Sequence, residues 1–88
     1  IGSHGIVNTG ATIDHDCIIG DFVHVAPGAN LAGGVHVGDG ALLGIGCVVT
    51  PGRRIGAGAV IGAGAVVVCD IPPGVVAKGV PARWDEKP

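Results

Sequence analysis

An all-β fold, a stack of very short parallel strands wound into a three-sided coil, is what this sequence predicts, and three observations carry the prediction. Every sixth residue from Ile1 to Val67 is aliphatic. Three places beyond these anchors glycine fills eight of twelve positions, and the place after that is mostly small. The 88 residues include 18 Gly but only one Phe, one Trp and no Tyr, so the core cannot be built on rings. A helix needs apolar residues at spacings of three and four, and each interior glycine costs it roughly 1 kcal/mol against alanine. The same residues therefore exclude a helical reading.

The anchors are Ile1, Val7, Ile13, Ile19, Val25, Leu31, Val37, Leu43, Val49, Ile55, Ile61 and Val67. Each heads a unit of one short strand plus a corner, the corner being glycine-rich because it demands unusual backbone angles. Three units close a coil of eighteen residues, so the twelve units make four coils. At the strand spacing of about 4.8 Å the stack is roughly 19 Å tall. Residues eighteen apart then lie above one another, which predicts three inward columns: Ile1-Ile19-Val37-Ile55, Val7-Val25-Leu43-Ile61 and Ile13-Leu31-Val49-Val67. Arg53 breaks the pattern, placing a guanidinium where a small residue belongs; its corner is distorted or its side chain leaves the interior. Pro72-Pro73 are expected to stop the stack, because proline cannot continue a hydrogen-bonded ladder. Residues 1–72 are thus expected to form the coil domain and residues 73–88 a closing segment with a charged tail beyond Trp84.

Composition limits the function. Five Lys+Arg against seven Asp+Glu give a formal charge of -2, which with two aromatic rings argues against a nucleic-acid partner. The longest run free of Asp, Glu, Lys, Arg and His, Ile55 to Cys69, is shorter than the roughly 18–20 residues that span a membrane. Cys17, Cys47 and Cys69 are odd in number and lack a Cys-x-x-Cys, which argues against a disulfide framework or a zinc knuckle and fits the reduced thiols of the cytoplasm. No cationic stretch followed by an apolar core marks an export signal. An opening Ile-Gly-Ser without initiator Met suggests that chain preceded Ile1.

Residues that break the repeat are where chemistry is expected. Four histidines stand out: His4, His15, His24 and His36. His15 sits at a corner between carboxylates, in Ile13-Asp14-His15-Asp16-Cys17. A carboxylate beside an imidazole holds one tautomer and raises its basicity, as a general base near neutral pH requires; a solvated polar corner is the plainer reading. Gly33 lies eighteen residues beyond His15 and is therefore its neighbour one coil above. Cys17 is the rival nucleophile, but its place in the unit points it inward with Cys47, as small core. His4 and His36 read as exposed corner or edge residues. Histidines at the wide spacing of a shared metal site are missing, so no metal is expected. The Gly-x-Gly pairs never complete a dinucleotide loop.

The six-residue repeat resembles that of the bacterial hexapeptide acyltransferases, which implies a left-handed parallel β-helix. Residues 79–83, Gly-Val-Pro-Ala-Arg, resemble the closing signature of those proteins. More specifically, the stretch from Asn8 to Gly28, Asn-Thr-Gly-Ala-Thr-Ile-Asp-His-Asp-Cys-Ile-Ile-Gly-Asp-Phe-Val-His-Val-Ala-Pro-Gly, is similar to the catalytic stretch of the sialic acid O-acetyltransferase-like family, which includes N-acetyltransferases of nucleotide-linked amino sugars. The resemblance implies His15 as base and Asp16 as its partner. It places Asn8 near the acceptor, His24 near the acetyl group and coenzyme, the Gly33 N–H on the thioester carbonyl, and backbone groups of Ile45 and Ala63 along the pantetheine arm.

The implied reaction is direct acetyl transfer from acetyl-CoA to the amine of a nucleotide-activated amino sugar, in a homotrimer with active sites between subunits. The apolar flat faces of the prism independently favour association. Transfer to a sugar hydroxyl, and a purely structural coil that organises another domain, are the competing expectations. The N-terminal sugar-nucleotide-binding domain usual in that family is not among these residues.

Overall fold

The computed structural model describes residues 5–84; Ile1, His4 and the charged tail after Trp84 lie outside them. Twelve strands of two residues each follow one another: β1 Ile6–Val7, β2 Thr12–Ile13, β3 Ile18–Ile19, β4 His24–Val25, β5 Asn30–Leu31, β6 His36–Val37, β7 Leu42–Leu43, β8 Val48–Val49, β9 Arg54–Ile55, β10 Val60–Ile61, β11 Val66–Val67 and β12 Val76–Ala77. All ladders between them are parallel. They form a first face in the order β1-β4-β7-β10-β12, a second of β2-β5-β8-β11 and a third of β3-β6-β9.

The register is the eighteen-residue register of the repeat: Val7 pairs with Val25 and Val25 with Leu43, Ile13 with Leu31, Ile19 with Val37. The anchor is the second residue of each strand from β1 to β11 and points inward, while the first points out. From Ile19 onward the anchors are at most 5% exposed. Val7 is 42% exposed because it lies in the first described coil, with no described residue packed beneath it. Burying a branched aliphatic side chain contributes about 1.5–3 kcal/mol, and with no buried polar or charged residue among those described the column of Val, Leu and Ile is the main source of stability.

Each corner repeats one geometry. The eight repeat glycines have φ between 68° and 75°, the left-handed region in which a side chain costs roughly 1–2 kcal/mol. Two residues accept that conformation without being glycine, Asp16 at φ 61° and Phe22 at φ 58°. Small residues after the glycine fill the interior: Ala29, Val35, Cys47, Ala59 and Ala65 are all fully buried. Arg53 resolves the exception in this column by leaving the core, its Nε donating to the Pro51 carbonyl at 3.3 Å and an Nη to that of Val68 at 3.5 Å.

The stop expected at Pro72-Pro73 does not occur. Ile71 still bridges to Ile55, and β12 pairs with β10 through Val60–Val76 and Ile61–Ala77. Pro73 takes a corner place whose N–H the ladder does not use, and Pro72 takes the place of Gly20, Gly38 and Gly56, whose N–H groups donate to the coil above. Among the described residues no further strand lies above Pro72 on the third face, so no ladder bond is lost and a partial fifth coil follows. Beyond β12, Lys78 and Arg83 form an antiparallel bridge. The Val66 N–H donates to the Gly79 carbonyl, and the Ala82 N–H to that of Val66. This segment lies across β11 and covers the end of the core with Ala82 and Trp84. No helix among the described residues is long and apolar enough to cross a membrane.

Candidate active site

The corners line up into three edges. The edge between the second and third faces carries residues 14–17, 32–35 and 50–53, and His15 projects from its lowest turn. The neighbouring carboxylates act on different parts of His15. Asp14 Oδ1 accepts the His15 main-chain N–H at 2.7 Å, which shapes the turn. Asp16 Oδ2 lies 3.2 Å from Nδ1 of the imidazole. An ionised carboxylate only accepts, so in the neutral ring Nδ1 carries the hydrogen and Nε2 keeps its lone pair. Both side chains are solvent-accessible, 77% and 87% exposed, so the pair contributes little to stability; its effect is on the orientation of the base.

Gly33 lies directly above. The Gly34 N–H donates to the His15 carbonyl at 3.0 Å, and a Cβ built on Gly33 stands 2.9 Å from His15 Cε1 and 3.2 Å from Nε2. The imidazole thus occupies the space that any other residue at position 33 would fill. The Gly33 N–H has no acceptor among the described residues. One exposed lone pair and one unused N–H therefore sit on neighbouring turns, a pairing suited to deprotonating a nucleophile and holding an oxyanion.

The remaining expected site residues form a second group. Asn8 follows β1, and His24 opens β4 one coil above. Asn8 Nδ2 is 2.9 Å from His24 Nε2 and donates to the Val25 carbonyl at 3.2 Å. Ile45 and Ala63 stack on the same edge as Asn8, between the first and second faces, with the Gly64 N–H on the Ile45 carbonyl at 2.8 Å. The N–H groups of Ile45 and Ala63 lack an acceptor among the described residues. Within one chain the second face separates this group from His15, Asp16 and Gly33. That face holds an open depression of about 390 Å³ lined by Thr12, Asp14 and Asn30 among others, where Thr12 Oγ1 donates to Asn30 Oδ1 at 2.5 Å. Sequence reading passed over this pair, although the two residues are eighteen apart and so had to stack.

The cysteines divide by depth. Cys47 is fully buried, and desolvation pushes its thiol up to about 11. Cys17 packs against the core and its thiol donates to the Ala32 carbonyl at 3.2 Å; it is only half-buried because it lies in the lowest described coil. Cys69 is exposed, and all three are free thiols. His36 is not at a corner: it points out from β6, half-buried, in register between Ile18 and Arg54. No group of three or more His, Cys, Asp or Glu among the described residues is arranged to hold a metal ion.

Comparison with known proteins agrees with the fold. The profile of the bacterial transferase hexapeptide family (six repeats) matches residues 34–69. Among curated protein sequences none matches the chain at a significant level. Among solved structures, perosamine N-acetyltransferase from Caulobacter crescentus, in complex with CoA and GDP-perosamine, is 50% identical over 99% of this chain and 41% of its own, with a TM-score of 0.96. The acetyltransferase domain of PglB from Neisseria gonorrhoeae, in complex with acetyl coenzyme A, is 46% identical over 91% of this chain and 39% of its own, with a TM-score of 0.90. A maltose O-acetyltransferase from Clostridium difficile is 34% identical over 98% and 57%, also with a TM-score of 0.90. The chain thus spans about two-fifths of the length of the first two. The six-residue register, the three-sided stack and the likeness to these acetyltransferases lead to one assignment: residues 34–69 match the bacterial transferase hexapeptide family, and the chain shares the fold of these acetyltransferases throughout.

Proposed function

We propose that this chain is the acetyl-transfer unit of a cytoplasmic, acetyl-CoA-dependent N-acetyltransferase whose acceptor is the amine of a nucleotide-activated amino sugar. One observation carries the reading: the His15 imidazole, oriented by Asp16, fills the side-chain space of Gly33, whose own N–H is unused, in a chain half identical to an enzyme solved with CoA and GDP-perosamine. His15 Nε2 takes a proton from the amine as its nitrogen attacks the thioester carbonyl. The Gly33 N–H receives the negative charge that develops on the carbonyl oxygen. The C–S bond then breaks and the coenzyme leaves as a thiol, its sulfur protonated at the expense of the proton taken up by His15. No acyl-enzyme forms, since Cys17 faces the core.

The working unit is a homotrimer with its sites between protomers. The division of the site residues between two edges supports this, because a second copy can bring Asn8, His24, Ile45 and Ala63 to the base. The outward column of the first face supplies an apolar contact surface in Ile6, Leu42, Val60 and Val76.

The likeness to a maltose O-acetyltransferase favours a second reading, transfer to a sugar hydroxyl. The test is thiol release from acetyl-CoA with paired amino and hydroxy sugar nucleotides, alongside calorimetry and sedimentation of the same sample. The expected result is a trimer that binds acetyl-CoA and acetylates the amine. Preference for the hydroxyl replaces this reading with the second, and a stable trimer that binds no acetyl-CoA leaves a structural coil.

A further inference from the structure

The contact between Asn8 and His24 defines a protonation state. Asn8 Nδ2 lies 3.2 Å from the Val25 carbonyl oxygen and 2.9 Å from His24 Nε2. A main-chain carbonyl only accepts, so the Asn8 atom facing it is the NH₂ group, which settles the orientation of the amide. One amide hydrogen goes to Val25 and the other points at His24 Nε2. That nitrogen must then offer a lone pair. Imidazolium and the Nε2–H tautomer both set N–H against N–H; only the neutral Nδ1–H form fits. The His24 ring makes no other hydrogen bond among the described residues, so its Nδ1–H is an unused donor on the first face.

We infer that Asn8 is a positioning residue: it locks His24 in the Nδ1–H tautomer and so turns the ring into a fixed hydrogen-bond donor for a ligand acceptor atom. The acceptor of matching chemistry is the oxygen or sulfur of an acyl thioester. The lock follows from the geometry alone, whereas the identity of the ligand rests on the acetyl-transfer reading above. The two histidines then share a tautomer and use opposite ends of it. His15, held by a carboxylate at Nδ1, presents a basic Nε2; His24, held by an amide at Nε2, presents an acidic Nδ1–H.

Nuclear magnetic resonance on the whole chain carrying ¹⁵N-histidine distinguishes the tautomers through nitrogen shifts and two-bond couplings. The expected spectrum of the unaltered protein has His24 protonated at Nδ1. In Asn8→Asp the new carboxylate accepts at Nε2, so the proton moves there, with a loss of kcat on the order of 10², as for a lost oxyanion donor. An Nε2–H His24 in the unaltered protein, or an unmoved proton in Asn8→Asp, overturns the lock. A moved proton with unchanged kcat overturns the assignment of the donor to the thioester. If the unaltered protein transfers no acetyl group at all, the proposed function fails while the tautomer still decides the lock, and the wild-type spectrum does so even where the variant fails to fold.

Discussion

At the scale of single residues, His15 and Asp16 carry opposed demands. His15→Ala is expected to cut acetyl transfer by roughly 10²–10⁴ while sedimentation still shows the wild-type assembly; unchanged turnover removes His15 from the mechanism. Asp16 sits at φ 61°, a conformation in which a side chain costs roughly 1–2 kcal/mol. Asp16→Gly relieves that strain and removes the carboxylate from Nδ1, so its melting temperature should be no lower than that of the parent while its turnover falls. A variant that loses stability as well contradicts the assignment of strain. Cys47 gives a pH dependence. Its thiol ordinarily ionises near 9.0, and burial raises this to about 11. Above pH 9 the unfolded chain loses this proton while the folded one keeps it, so the contribution is constant below about pH 9 and stability falls from there to about pH 11. The limiting slope is about 1.4 kcal/mol per pH unit. Denaturant titrations should show that slope in the parent and its absence in Cys47→Ala.

At the scale of the repeat unit, two glycines on different edges respond differently to the same change. A Cβ on Gly33 meets only the movable ring of His15, at 2.9 Å, whereas one on Gly44 meets the backbone oxygen of Ile61 at 2.5 Å. Gly33→Ala should therefore keep near-parental stability and lose activity as the imidazole is displaced. Gly44→Ala should lose stability, since two backbones must separate. Thermal unfolding beside turnover separates the cases, and equal stability losses would contradict the distinction. These units were legible in sequence because each anchor, glycine and small residue has one place in the coil. Pro72-Pro73 misled because a proline stops a ladder only where a further strand needs its N–H; among the described residues none lies above Pro72 on the third face, while the chain goes on to pair β12 with β10 on the first.

At the scale of the whole molecule, the division of the site between two edges makes a mixing experiment decisive. His15→Ala lacks the base and His24→Ala the other half; each alone should be nearly inactive. Co-refolded in equal amounts, they should assemble trimers in which about one quarter of the sites combine an intact His15 from one protomer with an intact His24 from the next. Recovery of activity toward that fraction supports a site shared between copies, and its absence with mixed trimers present places the site within one chain.

The sequence alone determined the stack, its register, the inward columns and the adjacency of His15 to Gly33, because a strict period of six makes position along the chain equivalent to position in space. It also marked Arg53 as an exception and left its direction open. Only the tertiary structure decided where the guanidinium goes, that the coil continues past the prolines, and that Asn8 holds the ring of His24. These depend on side-chain rotamers and on contacts that a backbone period does not specify.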